Sequence, residues 1–158
     1  MIFSKKINYS FERLEAISDI ANRLFTTNQS EIKAIEEFHE LKDAINSNDV
    51  EDIKEELVDN LIVNFRLTKI YLGHYIKPVI YYGMGTGTIN ETKELLIETG
   101  TYFMLSIEND KFQDINAYNY VGQLLIVIGL LFENDRELHV MLNKKLNKFE
   151  SKYLNMAT

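Results

Sequence analysis

Apolar residues recur at spacings of three and four in the long segments between turn signals, the period of helices with one buried stripe, and not the alternation of strands. A first helix is predicted over about 10–26, with Phe11, Leu14, Ile17, Ile20, Ala21 and Leu24 on one face. A second covers about 30–46, capped by Ser30, with Ala34, Phe38, Leu41 and Ile45 turned inward. Asn46-Ser47-Asn48-Asp49 reads as a tight turn, and Asp49 caps a long third helix over about 50–75. Pro78, Gly83, Gly85 and Gly87 make 77–90 the clearest loop. Asn90 caps a fourth helix to about 108, and a fifth spans about 112–132. Asn134-Asp135-Arg136-Glu137 has the spacing of a capping box and opens a sixth helix to about 153. The expected fold is all-α, a bundle of about six helices around an antiparallel hairpin of the second and third. Nothing reads as an interdomain linker, so residues 1–158 are expected to form one domain.

Composition narrows the chemistry. Of 158 residues, 46% are hydrophobic, enough for a real core. The net charge of −7 argues against a nucleic-acid polymer as partner, because phosphate backbones need basic surfaces. A small anionic substrate remains compatible if a metal bridges it to acidic side chains. With no cysteine, disulfides, thiolate metal sites and cysteine nucleophiles are excluded. The start of the chain lacks the apolar stretch of a signal peptide. The longest apolar run, Tyr120–Phe132 with Gln123 inside it, falls short of the ~20 residues a membrane helix needs. The expectation is a soluble, cytoplasmic protein without a membrane partner.

The candidate chemistry lies in Glu36-Glu37-Phe38-His39-Glu40 and Glu55-Glu56-Leu57-Val58-Asp59. Residues three apart share a helix face, so Glu37 projects with Glu40, and Glu56 with Asp59. Counted from the turn, Glu40 and Glu56 each stand eight residues from Asn48, and Glu37 and Asp59 each stand eleven. At a rise of about 1.5 Å per residue, the hairpin brings these carboxylates to two matched levels. Facing one groove, they form an oxygen-only cage whose mutual repulsion a divalent cation relieves; Mg²⁺ or Mn²⁺ suits such ligands.

Other motifs carry less. Glu36-x-x-His39 has the spacing of a di-iron ligand pair, but neither His74 nor His139 supplies the second pair that architecture needs. Gly83-Met84-Gly85-Thr86-Gly87 fits neither a dinucleotide loop nor a P-loop and reads as a connection. Tyr71, Tyr75, Tyr81 and Tyr82 suit helix-end packing as well as base stacking, and no Ser/His/Asp triad can be assembled from spacing.

The pattern Gln29-x-x-x-Lys33-x-x-Glu36-Glu37-x-x-Glu40-Leu41-x-x-Ala44-Ile45, followed by Glu55-Glu56-Leu57-x-Asp59, resembles the all-α nucleoside triphosphate pyrophosphohydrolases. This is the MazG-like superfamily, with its E-x-x-E and E-x-x-D signature, and it includes the dimeric dUTPases and phosphoribosyl-ATP pyrophosphohydrolases. The resemblance covers about residues 20–65. Asn147-Lys148-Phe149-Glu150-Ser151-Lys152 is similar to a later N-x-K-F-x-x-R segment, with Asn directly before Lys and Lys in place of Arg. These lysines also suit the negative end of a helix.

The resemblance implies Mg²⁺ or Mn²⁺ on Glu37, Glu40, Glu56 and Asp59, and cleavage of a nucleotide substrate between its α- and β-phosphates. It implies that Glu36 or Glu55 orients or deprotonates the attacking water. Lys33 and Lys148 then meet terminal phosphates, Lys152 belongs to the same phosphate-binding segment, and Gln29 lines the entrance. A homodimer or higher homo-oligomer is expected, because a hairpin shows its carboxylates on an open face and the fifth helix is strongly apolar. The alternative is a non-catalytic nucleotide-binding or partner-blocking protein on the same fold.

Overall fold

The computed structural model describes residues 5–83 and 89–157. They form six helices: α1 Lys5–Leu24, α2 Thr27–Ser47, α3 Val50–Leu72, α4 Ile89–Glu108, α5 Asp114–Leu131 and α6 Asp135–Ala157. No strand occurs among the described residues, and no helix there is long and apolar enough to cross a membrane.

Local chemistry explains most of the helix ends. At the start of α3, Asp49 accepts from the backbone N–H groups of Glu51 and Asp52 at 3.1 and 3.3 Å, as its type predicts. Asn48 takes the left-handed conformation, with φ of 60°, and closes α2. Together they make the α2–α3 turn only two residues long. Gly73, with φ of 81°, stops α3 slightly earlier than the predicted 75. Asn134 accepts from Glu137 N–H at 3.1 Å, while the returning Glu137 carboxylate accepts from Glu133 N–H at 2.9 Å, one residue beyond the cap.

Two predicted caps move. Ser30 does not begin α2. Thr26 does, accepting from Gln29 N–H at 3.1 Å, while the Gln29 side chain accepts from Thr26 N–H at 2.8 Å. Ser30 lies fully buried inside the helix. Asn90 is already within α4, so it is not the cap; the residues just ahead of Ile89 are outside those described. Of the glycine-rich connection, Gly85 and Gly87 also lie outside the described residues. Its earlier part runs back over α5: Gly83 N–H donates to the Gly129 carbonyl at 2.8 Å.

The central helix is α3. It packs against α2 as an antiparallel hairpin and also against α1, α5 and α6. Every residue from Asn60 to Thr68 is buried, so this stretch has no solvent face. The other close pairs are α4 with α5 and α1 with α6. Ser10 meets His139, Arg13 meets Asn143, and Phe25 meets Tyr153, so α1 and α6 run in the same direction. The tyrosines near the end of α3 join this packing. Tyr71 stacks on Phe112 at 4.1 Å, and Tyr75 stacks on Phe65 at 4.6 Å.

Two glycines on neighbouring helices should respond with opposite signs to alanine. A Cβ at Gly100 would lie 2.2 Å from the Phe38 ring and 2.9 Å from that of Tyr120, where α4 crosses the core. Gly100→Ala is expected to destabilise by about 1–3 kcal/mol through overpacking. A Cβ at Gly122 in α5 meets nothing within 4 Å. Gly122→Ala is expected to stabilise by about 0.5–1 kcal/mol through helix propensity. Denaturant melts of the two variants beside wild type check the pair.

Candidate metal centre

The two-residue turn sets the register of the hairpin, and carboxylates from both arms meet. Glu37 on α2 and Glu56 and Asp59 on α3 each offer an oxygen, all lying within 4.8 Å of one another. Among the described residues this is the one group of three or more acids and histidines so arranged. Glu40 stands beside them on the exposed face of α2. No histidine joins the group: His39 is exposed next to Phe38, His74 faces Tyr118, and His139 bonds Ser10.

Burial makes this arrangement costly. Glu37 is 6% exposed. One oxygen each of Glu37 and Glu56 (Oε2 in both) is buried without a hydrogen-bond partner. Two lysines offset part of the charge. Lys33 Nζ lies 3.0 Å from Glu37 Oε1, and Lys145 Nζ lies 3.0 Å from Asp59 Oδ2.

What remains shows in the proton affinities. Burial, then the charges of Asp59, Glu40 and Glu37, push Glu56 from an ordinary 4.5 up to about 7. Glu40 is raised by burial and by its acidic neighbours, against the pull of Lys33. Asp59 is raised by burial in spite of its lysine, while Lys145 is raised by its acids in spite of burial. An isolated ion pair would lower the acid and raise the base. Here both partners hold protons more tightly, Asp59 chiefly because it is buried and Lys145 because of the acids around it. Unpartnered carboxylate oxygens converging from two helices fit a hard divalent cation, which supplies the missing positive charge and accepts all-oxygen ligands.

Asn60 fixes the geometry. Its side-chain amide donates to the backbone carbonyls of Glu37 and Glu56 at 2.9 and 2.8 Å, one on each arm of the hairpin. The buried Tyr120 hydroxyl donates to Asn60 Oδ1 at 2.9 Å, which settles the orientation of the amide and ties α5 to the cluster.

Two grooves flank the acids. One, of about 340 Å³ between α2, α3 and α6, is lined by Gln29, Lys33, Glu36 and Lys152 together with Arg66 and three aromatic rings. The other, of about 620 Å³ between α3 and α6, is lined by Glu55, Arg136, Lys144 and Lys145 among others. Glu36 and Glu55, predicted for one role, therefore border different grooves. Gln29, Lys33 and Lys152 come together in one of them, although Gln29 also closes the start of α2. Lys148 is exposed and lines neither.

Residues not singled out from the sequence prove central to this geometry: Lys145, Asn60, Tyr120 and Arg66. Asn60 and Arg66 did carry a signal, as polar residues inside the apolar run Leu57–Leu67. Lys145 had only its place in a basic stretch.

Residues 25–77 match the model of the MazG nucleotide pyrophosphohydrolase domain. The all-helical fold agrees with that match, and the whole acid cluster falls inside the matched segment. No curated protein and no solved structure matches the chain.

The raised Glu56 sets a pH dependence whose sign is fixed. Its folded-state affinity for a proton exceeds that of the unfolded chain, so its contribution to stability is full below about 4.5 and is lost as pH rises through about 7. In EDTA, the melting temperature of wild type should therefore carry a downward component between pH 5 and 8. Glu56→Gln should flatten that component and be at least as stable at pH 8. Calorimetric melts across this range check it; a variant clearly less stable in EDTA at pH 8 would contradict the strain.

Proposed function

We propose that this chain, with residues 25–77 matching a MazG nucleotide pyrophosphohydrolase domain, hydrolyses a nucleoside triphosphate or related nucleotide between its α- and β-phosphates. The products are the monophosphate and pyrophosphate. The observation that carries the reading is the cluster of Glu37, Glu56 and Asp59 inside the matched segment, with carboxylate oxygens buried and unpartnered. A solvated acidic face would leave no such oxygens.

Glu37, Glu40, Glu56 and Asp59 are the proposed holders of Mg²⁺ or Mn²⁺. When bound, the cation neutralises phosphate oxygens and lowers the pKa of the attacking water. Glu40, the most exposed of the four, completes the set by a change of side-chain rotamer. Water adds across the anhydride: its oxygen joins one phosphorus, the bridging P–O bond breaks, and one proton leaves. Glu36 and Glu55, each next to a ligand carboxylate in sequence, are the proposed acceptors of that proton or orienters of the water. Lys33 and Lys145 hold the acids until substrate arrives and are then free to meet phosphate oxygens as point charges. Gln29 and Lys152 serve the substrate from the groove they line, and Lys148 reaches it from the adjoining surface of α6.

Assembly as a homodimer or higher oligomer belongs to the same proposal, on revised grounds. Most of the apolar surface of α5 is consumed inside the chain. What supports assembly is a remaining stripe of exposed Ile115, Tyr118 and Ile126 on α5, and another of Leu95, Tyr102 and Leu105 on α4.

A nucleotide panel with Mg²⁺ is expected to release monophosphate and pyrophosphate in equal amounts, with turnover abolished by EDTA and by Glu56→Gln. Orthophosphate as the primary product would mean cleavage of a different bond. Light scattering is expected to give at least twice the chain mass, and a monomer at working concentration would remove the assembly proposal.

A further inference from the structure

Arg66 sits in the buried stretch of α3 and is 4% exposed. A guanidinium presents five N–H donors, accepts nothing and does not shed its proton in proteins. This one makes a single hydrogen bond among the described residues, from Nη1 to the Tyr153 hydroxyl at 3.3 Å, and lies 5.3 Å from the centre of the Phe25 ring. Its Nε is buried with no partner. Burial lowers its proton affinity, and among the described residues no carboxylate pairs with it. Buried cations are normally paired, because an unpaired charge out of water is among the most costly features a fold can carry.

The place of this charge suggests what answers it. Arg66 helps to line the groove between α2, α3 and α6, whose walls include Phe25, Phe149 and Tyr153. Phe25 meets Tyr153 edge-on at 5.6 Å, and Phe149 stacks on Tyr153 at 5.8 Å. The volume of about 340 Å³ lies at the small end for ligand pockets, room for one nucleoside-sized group. Lys33 belongs both to this groove and to the acid cluster, 3.0 Å from Glu37. A molecule with its phosphates at the acids therefore has this groove next to it. Lys33 and Lys152 on its walls suit phosphate oxygens, whereas the three rings packed about Arg66 suit a flat heteroaromatic ring.

We propose that this groove receives the nucleobase and that Arg66 reads it, favouring bases that carry an oxo group over those that carry an amino group at the same position. The inference rests on the pyrophosphohydrolase reading and adds a substrate class to it. A carbonyl oxygen accepts from the guanidinium. An exocyclic amino group meets donor with donor and leaves the buried charge unanswered, which is the stronger kind of discrimination. The rings contribute stacking and are indifferent to the choice.

The test uses matched nucleotides that differ only at that edge of the base: dITP against dATP, and dUTP against dCTP. In wild type with Mg²⁺, kcat/KM is expected to favour the oxo member of each pair by about tenfold or more. Arg66→Met should bring both ratios close to one, and Arg66→Lys, which keeps the charge but loses the fork, should fall between. The ratio is taken within each protein, so a loss common to both substrates cancels. In EDTA, Arg66→Met should melt no lower than wild type, since the charge removed has no carboxylate partner and only one long hydrogen bond, to Tyr153. Hydrolysis without an oxo preference, or a preference that persists in Arg66→Met, overturns this inference and leaves the pyrophosphohydrolase reading intact. Should Arg66→Met not fold, an undiminished ratio in Arg66→Lys does the same. If the ratios stay unchanged while Arg66→Met weakens competitive inhibition by inorganic tripolyphosphate, the guanidinium serves phosphate and the inference fails. Hydrolysis of none of the four nucleotides overturns this inference, and the pyrophosphohydrolase reading falls with it only when the wider nucleotide panel also yields no pyrophosphate.

Discussion

Between Asn60 and Thr68 the helix α3 has no side facing solvent, so each polar group it carries there must be met by the protein or by something the protein binds. Asn60 and Thr68 find partners among backbone carbonyls, and Asn64 donates to the Asn60 carbonyl one turn back. Nearer the start of the helix, Lys54 pairs with Glu137 and Asp59 with Lys145. Three atoms are left short: the inner oxygen of Glu56, the Oδ1 of Asn64 and the Nε of Arg66. The Glu56 oxygen calls for a cation and the Arg66 Nε for an acceptor. The buried helix thus turns a question of packing into a chemical one, because what it leaves unanswered is what a ligand would answer.

The same burial explains the precision of the acid cluster. Carboxylates on two separate helices would drift apart under their own repulsion. Here the short turn at Asn48 and Asp49 fixes the register, and the Asn60 amide holds one carbonyl on each arm. Tyr120, wholly buried on α5, locks that amide. The close approach of α4 at Gly100 brings Phe38 and Tyr120 into contact, ring centres 5.6 Å apart. Helices far from the acids in sequence therefore maintain their spacing. Each hydrogen bond contributes about 1 kcal/mol net, small beside the repulsion it opposes, so it is the apolar packing around the clamp that keeps the hairpin closed.

Helix class and order were legible because amphipathic spacing survives any arrangement of the bundle. The hairpin was legible because Asn48 and Asp49 are chemically suited to end one helix and cap the next. Ser30 misled because a hydroxyl residue before an apolar stripe looks like a cap wherever it falls. The reciprocal Thr26 and Gln29 pair won the position, leaving Ser30 to be buried. That Glu37 would meet Glu56 and Asp59 across the hairpin followed from counting along two helices of known rise. Counting says nothing of side-chain rotamers, and Glu40 lies outside the tight group that the other three form.

The sequence alone determined the all-helical architecture, the turn that joins α2 to α3, and the meeting of acids from the two arms of that hairpin, since each depends on residues near one another in the chain. Only the tertiary structure decided that Lys145 reaches Asp59, that Tyr120 orients Asn60, and that Glu36 and Glu55 border different grooves. It alone gathered Phe25, Arg66 and Tyr153 from α1's end, α3 and α6 around one cavity. Those relations join residues tens of positions apart, and they are fixed by which helix faces pack together. Local periodicity marks a face as buried but does not name the face that will cover it.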